Sequence, residues 1–228
     1  MTQALTTASR KPLWLFDLDD TLHRATPHIF ERMNRSMTQY VMRHLGLAEA
    51  EAGDLRRAYW QRYGATILGL MRRHAVDPDH FLRETHQFPD LPELLDFDRP
   101  LRRLLKTLPG RKIIVSNAPR HYVDAVLALM GVSPHLHAIE TIESMRYVPK
   151  PAKSSLARVL KRHRRRGERV IMVEDNLDNL KTARRLGLTT VWVSRESGRP
   201  AFVDVKLKSV LQLSKHSRLR SRPAAPLA

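Results

Sequence analysis

Cysteine is absent from the 228 residues of this chain, and its absence narrows the available chemistry. Without thiols there are no disulfides, no thiolate nucleophile and no cysteine-ligated metal, so any metal ion would need oxygen or imidazole ligands. Long apolar runs are also missing: no window reaches the roughly 18 apolar residues of a membrane-spanning helix. Residues 1–11 are polar and lack the apolar centre of a secretory signal. These absences favour a cytoplasmic protein with no membrane partner.

Acidic residues are scarce relative to basic ones, because 40 Lys and Arg stand against 23 Asp and Glu. The resulting net charge of +17, with a pI near 11.0, would suit phosphate-rich partners such as nucleic acid. The basic residues are dispersed, however, and their densest run, 161–166, lies late in a predicted helix, where cations complement the helix dipole. We therefore expect a solvated basic surface that attracts small phosphorylated substrates, and no specific nucleic-acid partner.

The most informative segment is residues 13–22, where an apolar run leads directly into Asp17, Asp19 and Asp20. Such a run is typical of a buried core strand, and open α/β sheets place their sites just beyond such strands. The plain alternative is a solvated acidic turn, but such a turn does not need aspartates at alternate positions followed by Thr21. The segment predicts a strand that ends at a reaction centre suited to a divalent cation.

Residues 27–97 have an almost wholly helical pattern. Apolar residues recur at three- and four-residue steps from Ile29 to Leu45, which predicts an amphipathic helix ended by Gly46. A second helical stretch is predicted over residues 58–74 and a short helix around Phe81. Prolines 89 and 92 then interrupt the pattern before the chain returns to the main body. We expect a helical insert at residues 25–97.

Strands and helices alternate from Arg99 onward. Predicted strands at 112–116, 170–173 and 190–194 are separated by helices, one over 120–130 and another ending near Gly187. This alternation predicts an α/β fold with a doubly wound, Rossmann-like parallel sheet, whose core would comprise residues 12–24 and 98–213. Residues 214–228 are rich in Arg, Ser and Pro, which predicts a basic flexible tail.

Polar groups follow the predicted strands in a fixed order along the chain. They are Asp17 and Asp19, then Ser116 and Asn117, then Lys150, and finally Glu174 and Asp175 with Asp178. This order resembles the four motifs of the haloacid dehalogenase (HAD) superfamily, and the match covers the whole core. The resemblance implies Mg²⁺-dependent phosphoryl transfer through an aspartyl-phosphate, with the helical insert acting as a cap domain over the site.

The resemblance and the chemistry of the residues give each group an expected role. Asp17 is the expected nucleophile, and Asp19 the general acid that later acts as base. The expected metal ligands are the carboxylates of Asp17 and Asp175, the backbone carbonyl of Asp19, and Glu174 either directly or through water. Ser116 would donate to a phosphoryl oxygen with Asn117 beside it, Lys150 would supply positive charge, and Thr21 would stabilise the loop.

Simpler readings remain open for single motifs. Ser116 and Asn117 are also typical of a turn or helix cap, Lys150 of a solvated side chain, and Asp175 and Asp178 of helix-capping residues. The 11 histidines show no pair with convincing ligand spacing, although His121 follows the Ser116 loop and could touch a substrate.

Residues 59–70 resemble the cap segment of the pyrimidine 5′-nucleotidase branch of the superfamily. This resemblance implies hydrolysis of nucleoside monophosphates such as UMP or CMP, with Tyr63 stacking on the base and Asn34 or Thr66 hydrogen bonding to its edge. Core packing is the alternative for Tyr63. His23 stands where members of that branch often have an aromatic residue. This difference bears on the substrate assignment and not on the expected catalytic groups.

Three alternative functions can be compared with these motifs. A phosphatase or phosphomutase acting on sugar phosphates or phosphoglycolate would share all of them. A dehalogenase would not need Asp19 as a second acid or Asp175 as a metal ligand. A nucleic-acid-binding protein on a relict fold would have lost one of the acids, and none is missing.

Overall fold

A computed structural model describes residues 11–164, 168–216 and 219. Six parallel strands form one sheet in the order β3-β2-β1-β4-β5-β6. The strands are β1 (Leu13–Phe16), β2 (Arg111–Val115), β3 (Ala138–Glu140), β4 (Val170–Glu174), β5 (Thr189–Val193) and β6 (Val205–Leu207). The predicted doubly wound α/β fold is confirmed, and the predicted strand bounds differ from those observed by one residue at most ends.

The insert between β1 and β2 is helical, as predicted. It contains α1 (Ile29–Leu45), α2 (Glu49–Tyr63), α3 (Thr66–His74), α4 (Pro78–Thr85) and the single turn α5 (Leu91–Leu94). The predicted stretch 58–74 is wrong in two respects. The helix α2 begins nine residues earlier than predicted, at Glu49, and it stops before Gly64, whose φ of 82° is left-handed, so that α3 begins as a separate helix at Thr66. Pro92 does not interrupt a helix either: it lies in the first turn of α5, where proline is tolerated.

Four further helices cover the two faces of the sheet: α6 (Leu101–Thr107), α7 (Arg120–Leu129), α8 (Lys153–His163) and α9 (Leu177–Arg185). Trp14 and Phe16 of β1 point to one face and join a buried cluster with α6 and α7. Leu13 and Leu15 point to the other face and pack with α8 and α9. Because β1 is buried on both faces, its sequence is a continuous apolar run rather than an alternating one.

The two ends of the insert meet beside the sheet. Arg24 forms an isolated antiparallel bridge with Asp96, and its guanidinium group also pairs with the Asp96 carboxylate at 2.5 Å. A separate apolar cluster that includes Tyr40, Ile67 and Phe81 holds α1, α3 and α4 together. We propose that residues 25–97 act as a cap domain on a core formed by 12–24 and 98–213.

The predicted tail, residues 214–228, lies mostly outside the described residues. Its predicted start falls inside a 3₁₀ turn, Val210–Lys215, and Leu219 is buried. Of the basic run 161–166, residues 161–163 form the end of α8, and 165 and 166 lie outside the described ranges. Within those ranges, no helix combines the length and apolarity needed to cross a bilayer. The cytoplasmic location stays a prediction.

Candidate active site

The predicted site residues from three neighbouring strands meet at one edge of the sheet. Asp17 directly follows β1, Ser116 directly follows β2, and Glu174 ends β4 with Asp175 beyond it. Because β2, β1 and β4 are adjacent and parallel, their carboxyl ends bring these side chains together. Lys150 reaches the same point from the loop between β3 and α8.

Lys150 is the positive centre of the site. Its Nζ lies 2.6 Å from Oδ1 of Asp17 and 2.9 Å from Oε1 of Glu174, and its side chain is only 1% exposed. Asn117 was predicted to bind substrate, but its side chain pairs with the backbone of Lys150, accepting from the amide at 2.8 Å and donating to the carbonyl at 3.0 Å. Both polar atoms of Asn117 therefore hold the lysine loop in place.

Three carboxylates form a group that can hold a metal ion. One oxygen from each of Asp17, Glu174 and Asp175 lies within 4.8 Å of the other two. Hard divalent cations prefer such oxygen ligands. Glu174 is fully buried and already accepts from Lys150, the Asn179 amide group and the backbone amides of residues 175 and 176. Asp17 and Asp175 are thus the more available ligands.

The three carboxylates carry more negative charge than the single ammonium group of Lys150 can neutralise. Burial raises the pKa of Asp17, and the Glu174 carboxylate adds to the rise against the opposing effect of Lys150. Burial and Glu174 also raise the pKa of Asp175. Burial disfavours ionised Glu174, but Lys150 and the amide donors outweigh it and lower the pKa of Glu174. A divalent cation would relieve the excess negative charge, so the residues fit one.

Asp19 lies apart from this group. Its Oδ1 accepts from the Tyr122 hydroxyl at 2.7 Å and lies 3.0 Å from Nε2 of His23. Thr21 donates to Oδ1 of Asp175 at 3.1 Å and so ties the β1 loop to the β4 loop, in keeping with its predicted role. Sequence reasoning missed Tyr122, because nothing in the sequence signals that α7 presents a hydroxyl group to the β1 loop.

A cavity of about 580 Å³ opens from the carboxylates toward the helical insert. The predicted substrate-binding residues Asn34 and Thr66 line it together with Arg56 and Trp60 of α2. The Thr66 hydroxyl donates to the Arg56 carbonyl at 3.2 Å, and Arg56 Nη1 donates to Oδ1 of Asn34 at 2.8 Å. Trp60 is 61% exposed at this cavity. No local sequence pattern indicates that Arg56 or Trp60 faces this cavity.

Tyr63 does not line the cavity, which corrects its predicted stacking role. Its ring faces the guanidinium carbons of Arg62 and Arg72 at 5.5 and 5.0 Å from the ring centre, and Arg73 donates to its hydroxyl at 3.4 Å. At the end of α2 this ring lies against Arg72 and Arg73 of α3. Tyr63 therefore packs on the surface of the insert.

Two further predicted candidates lie outside the cavity lining. His121 is exposed at the start of α7, and Asp178 is exposed in the first turn of α9. The residue that caps α9 is Asn176, whose Oδ1 accepts from the backbone amides of residues 178 and 179. Asp175 is consequently free of the capping role that was its simpler alternative.

The family model for haloacid dehalogenase-like hydrolases matches residues 13–187. This range includes Asp17, Asp19, Ser116, Lys150, Glu174 and Asp175. The chain belongs to this family. This haloacid dehalogenase-like hydrolase is 26% identical over 133 residues to Phosphate metabolism protein 8 of Saccharomyces cerevisiae. The match spans 54% of the chain and 41% of the yeast protein, so less than half of that relative is represented.

Solved structures share the fold of this hydrolase. A HAD phosphatase from Thermococcus onnurineus has a TM-score of 0.63 at 19% identity, covering 92% of this chain and 100% of that one. CbbY from Rhodobacter sphaeroides, in complex with phosphate, has a TM-score of 0.63 at 18% identity over 90% and 96%. L-2-haloacid dehalogenase from Xanthobacter autotrophicus has a TM-score of 0.56 at 15% identity over 90% and 98%. A phosphatase and a dehalogenase share this fold, so the reaction must be argued from the site.

Proposed function

We propose that this hydrolase is a Mg²⁺-dependent phosphatase of small phosphate monoesters that works through an aspartyl-phosphate on Asp17. The observation that carries the proposal is a group of three carboxylates, two of which pair with the buried Lys150, in the lining of one cavity. Displacement of halide from carbon needs neither a metal-binding Asp175 nor a second acid at Asp19. The acid-rich site therefore favours phosphoryl transfer.

Each residue of the site has a separate role in the proposed reaction. Asp17 attacks phosphorus, while Lys150 offsets negative charge on the transferred group. Ser116 accepts from the Ala118 amide at 3.0 Å, which leaves its O–H free to donate to a phosphoryl oxygen. Bound Mg²⁺ would neutralise further charge on the phosphoryl oxygens. Asp19 gives its proton to the leaving oxygen and later takes one from the water that hydrolyses the Asp17 acyl phosphate.

Phosphate release with and without Mg²⁺ tests this chemistry. The wild-type protein should require Mg²⁺, and Asp17→Asn should abolish turnover without loss of the fold, since an amide is not a competent nucleophile. Asp124→Asn is the matched control, because Asp124 pairs with Arg120 on the exposed side of α7. Unchanged turnover in the Asp17 variant would disprove the mechanism.

We further propose pyrimidine nucleoside 5′-monophosphates as the substrate class, with sugar phosphates and phosphoglycolate as the next candidates. The cap segment at residues 59–70 supports this choice by its resemblance to nucleotidases. Asn34 and Thr66 at the cavity supply hydrogen-bonding groups, and the exposed ring of Trp60 supplies a stacking surface that Tyr63 does not. Comparing UMP, CMP, dUMP, AMP, GMP, phosphoglycolate and sugar phosphates tests this class directly. A phosphomutase would use the same residues but release little phosphate.

Trp60 provides a second test of the nucleotide proposal. Base stacking on an aromatic side chain is worth about 1–3 kcal/mol, so Trp60→Ala should raise the KM for UMP roughly tenfold. The KM for a sugar phosphate should change little. Tyr63→Ala, which removes an aromatic ring from the same helix but outside the cavity, is the matched control. Equal effects of the two variants, or equal effects on both substrates, would contradict base stacking at Trp60.

A further inference from the structure

The carboxylate of Asp19 is held by two side chains that belong to different parts of the chain. Tyr122 comes from α7, which follows β2, and His23 comes from the segment that leads into the insert. Both contact the same oxygen, Oδ1, at 2.7 and 3.0 Å. With Oδ1 occupied by two donors, Oδ2 is the oxygen left for a proton and for the substrate.

Both partners are suited to act as donors. Tyr122 is nearly fully buried, and burial together with the nearby Asp19 carboxylate raises the pKa of its hydroxyl, so it stays protonated. The side chain of His23 is also buried, and its Nδ1 has no hydrogen-bond partner among the described residues. If the ring proton is on Nε2, that N–H donates to Asp19 and only the lone pair of Nδ1 lacks a partner. If the proton is on Nδ1, a buried N–H lacks a partner, which costs more free energy. The Nε2 tautomer is therefore favoured.

Tyr122 is itself fixed by rings from the insert. The rings of His86 and Phe88 meet it edge-on, with centroid distances of 6.2 and 5.8 Å and interplanar angles of 67° and 74°. The direction of the Tyr122 hydroxyl thus depends on contacts that the insert makes with α7. This packing therefore supports the contact between the Tyr122 hydroxyl and Oδ1 of Asp19.

We propose that Tyr122 and His23 are positioning residues that hold Oδ1 of Asp19 and reserve Oδ2 for proton transfer. The inference rests on the proposed function, in which Asp19 is the acid and base. In the first step the Asp17–phosphorus bond forms, the phosphorus–oxygen bond to the leaving group breaks, and the Oδ2 proton moves to that oxygen. In the second step a water oxygen attacks phosphorus, its proton returns to Oδ2, and the Asp17–phosphorus bond breaks.

Leaving-group dependence separates this role from a structural one. p-Nitrophenolate departs as a stable anion without a proton, whereas the alkoxide released from UMP or another alkyl phosphate needs one. Since kcat/KM reports the step in which the leaving group departs, Tyr122→Phe should lower kcat/KM for the alkyl phosphate roughly tenfold or more. For p-nitrophenyl phosphate it should change less than about threefold. The alkyl phosphate used is UMP or, if another ester is hydrolysed faster, that ester.

Matched variants make the outcome decisive. Tyr40→Phe removes a hydroxyl from another buried tyrosine, which bonds to His80 inside the insert, and should leave the ratio of the two kcat/KM values unchanged. His23→Phe should shift the ratio in the same direction as Tyr122→Phe, and it carries the test if the Tyr122 variant does not fold. Equal losses on both esters, or no loss on either, would overturn the positioning role. Wild-type protein inactive on every ester with Mg²⁺ would overturn the proposed function itself.

Discussion

Asp17 and Asp19 are two positions apart, yet their surroundings differ sharply. Asp17 faces the Lys150 ammonium group and two other carboxylates, whereas Oδ1 of Asp19 contacts the Tyr122 hydroxyl and Nε2 of His23. The loop that follows Asp19 is fixed by Asp20, which has a left-handed φ of 58° and accepts from the backbone amides of Ala25 and Thr26 at 2.8 and 2.9 Å. Environment rather than residue type therefore distinguishes the proposed nucleophile, Asp17, from the proposed acid and base, Asp19.

His86 makes the stability of the protein depend on pH. It is buried between α4 and α7, with Nδ1 2.9 Å from the Thr85 hydroxyl, and burial lowers its pKa to about 4. The unfolded chain takes up a proton near pH 6.5 and the folded one only near pH 4, so the free energy of unfolding falls as pH drops through this window. The loss contributed by His86 should reach about 2 kcal/mol by pH 5.

Urea unfolding of the wild type and of His86→Gln at pH 8 and pH 5 measures this effect. The variant should lose less stability than the wild type between the two pH values, because glutamine does not titrate. The exposed residue His28, changed to Gln, controls for loss of a histidine without burial. If the wild type and the His86 variant lost the same free energy of unfolding between pH 8 and pH 5, His86 would not be the source of the pH dependence.

At the scale of the element, the strands β1, β2, β4 and β5 could be predicted because the signal is local, whereas the three-residue strands β3 and β6 were not predicted. An apolar run followed at once by Asp17, Ser116 or Glu174 defines both a buried strand and its polar end. The residues that were missed or misplaced depend on tertiary geometry. Whether Trp60 or Tyr63 of α2 faces the cavity follows from where Gly64 ends that helix and how α3 packs against it, and no local pattern encodes this.

Gly69 determines how closely α2 and α3 approach each other. A Cβ at this position would lie 2.1 Å from Cγ and 2.6 Å from Cβ of Tyr59, atoms too near the backbone to move easily. Gly69→Ala should therefore destabilise the protein by about 1–3 kcal/mol, despite the higher helix propensity of alanine. Gly53→Ala in α2 meets only the mobile end of Arg57 at 3.4 Å, and it should be neutral or stabilising by up to about 1 kcal/mol.

Urea unfolding of both glycine variants checks this contrast. Because the α2–α3 contact also shapes the cavity, Gly69→Ala should raise the KM for the best substrate, while Gly53→Ala should not. If the two variants had equal free energies of unfolding, the close approach of α2 and α3 at Gly69 would not be needed for stability, and the prediction would be wrong.

At the scale of the whole molecule, a strongly negative site lies within a strongly positive protein. The net charge of +17 produces a long-range field that attracts phosphate esters, whereas the carboxylates of Asp17, Glu174 and Asp175 create a local field that attracts a cation. The two fields act over different distances, since salt screens the long-range one beyond roughly 10 Å and affects the partly buried carboxylates much less. Raising the ionic strength should consequently weaken capture of substrate more than binding of the metal.

Binding of Mg²⁺ should stabilise the folded protein, since the three carboxylates are brought together only by folding. At a concentration 100 times the dissociation constant, a ligand of the native state adds about 2.7 kcal/mol, or roughly 5–10 °C in Tm for a chain of this size. Asp175→Asn removes an available ligand and should abolish most of this shift, whereas Asp124→Asn should retain it. Thermal unfolding with and without Mg²⁺ measures the shift independently of any substrate. Among the described residues, no other group of three possible ligand side chains lies this close together. A full shift in the Asp175 variant would therefore contradict the assignment of the cation to this group.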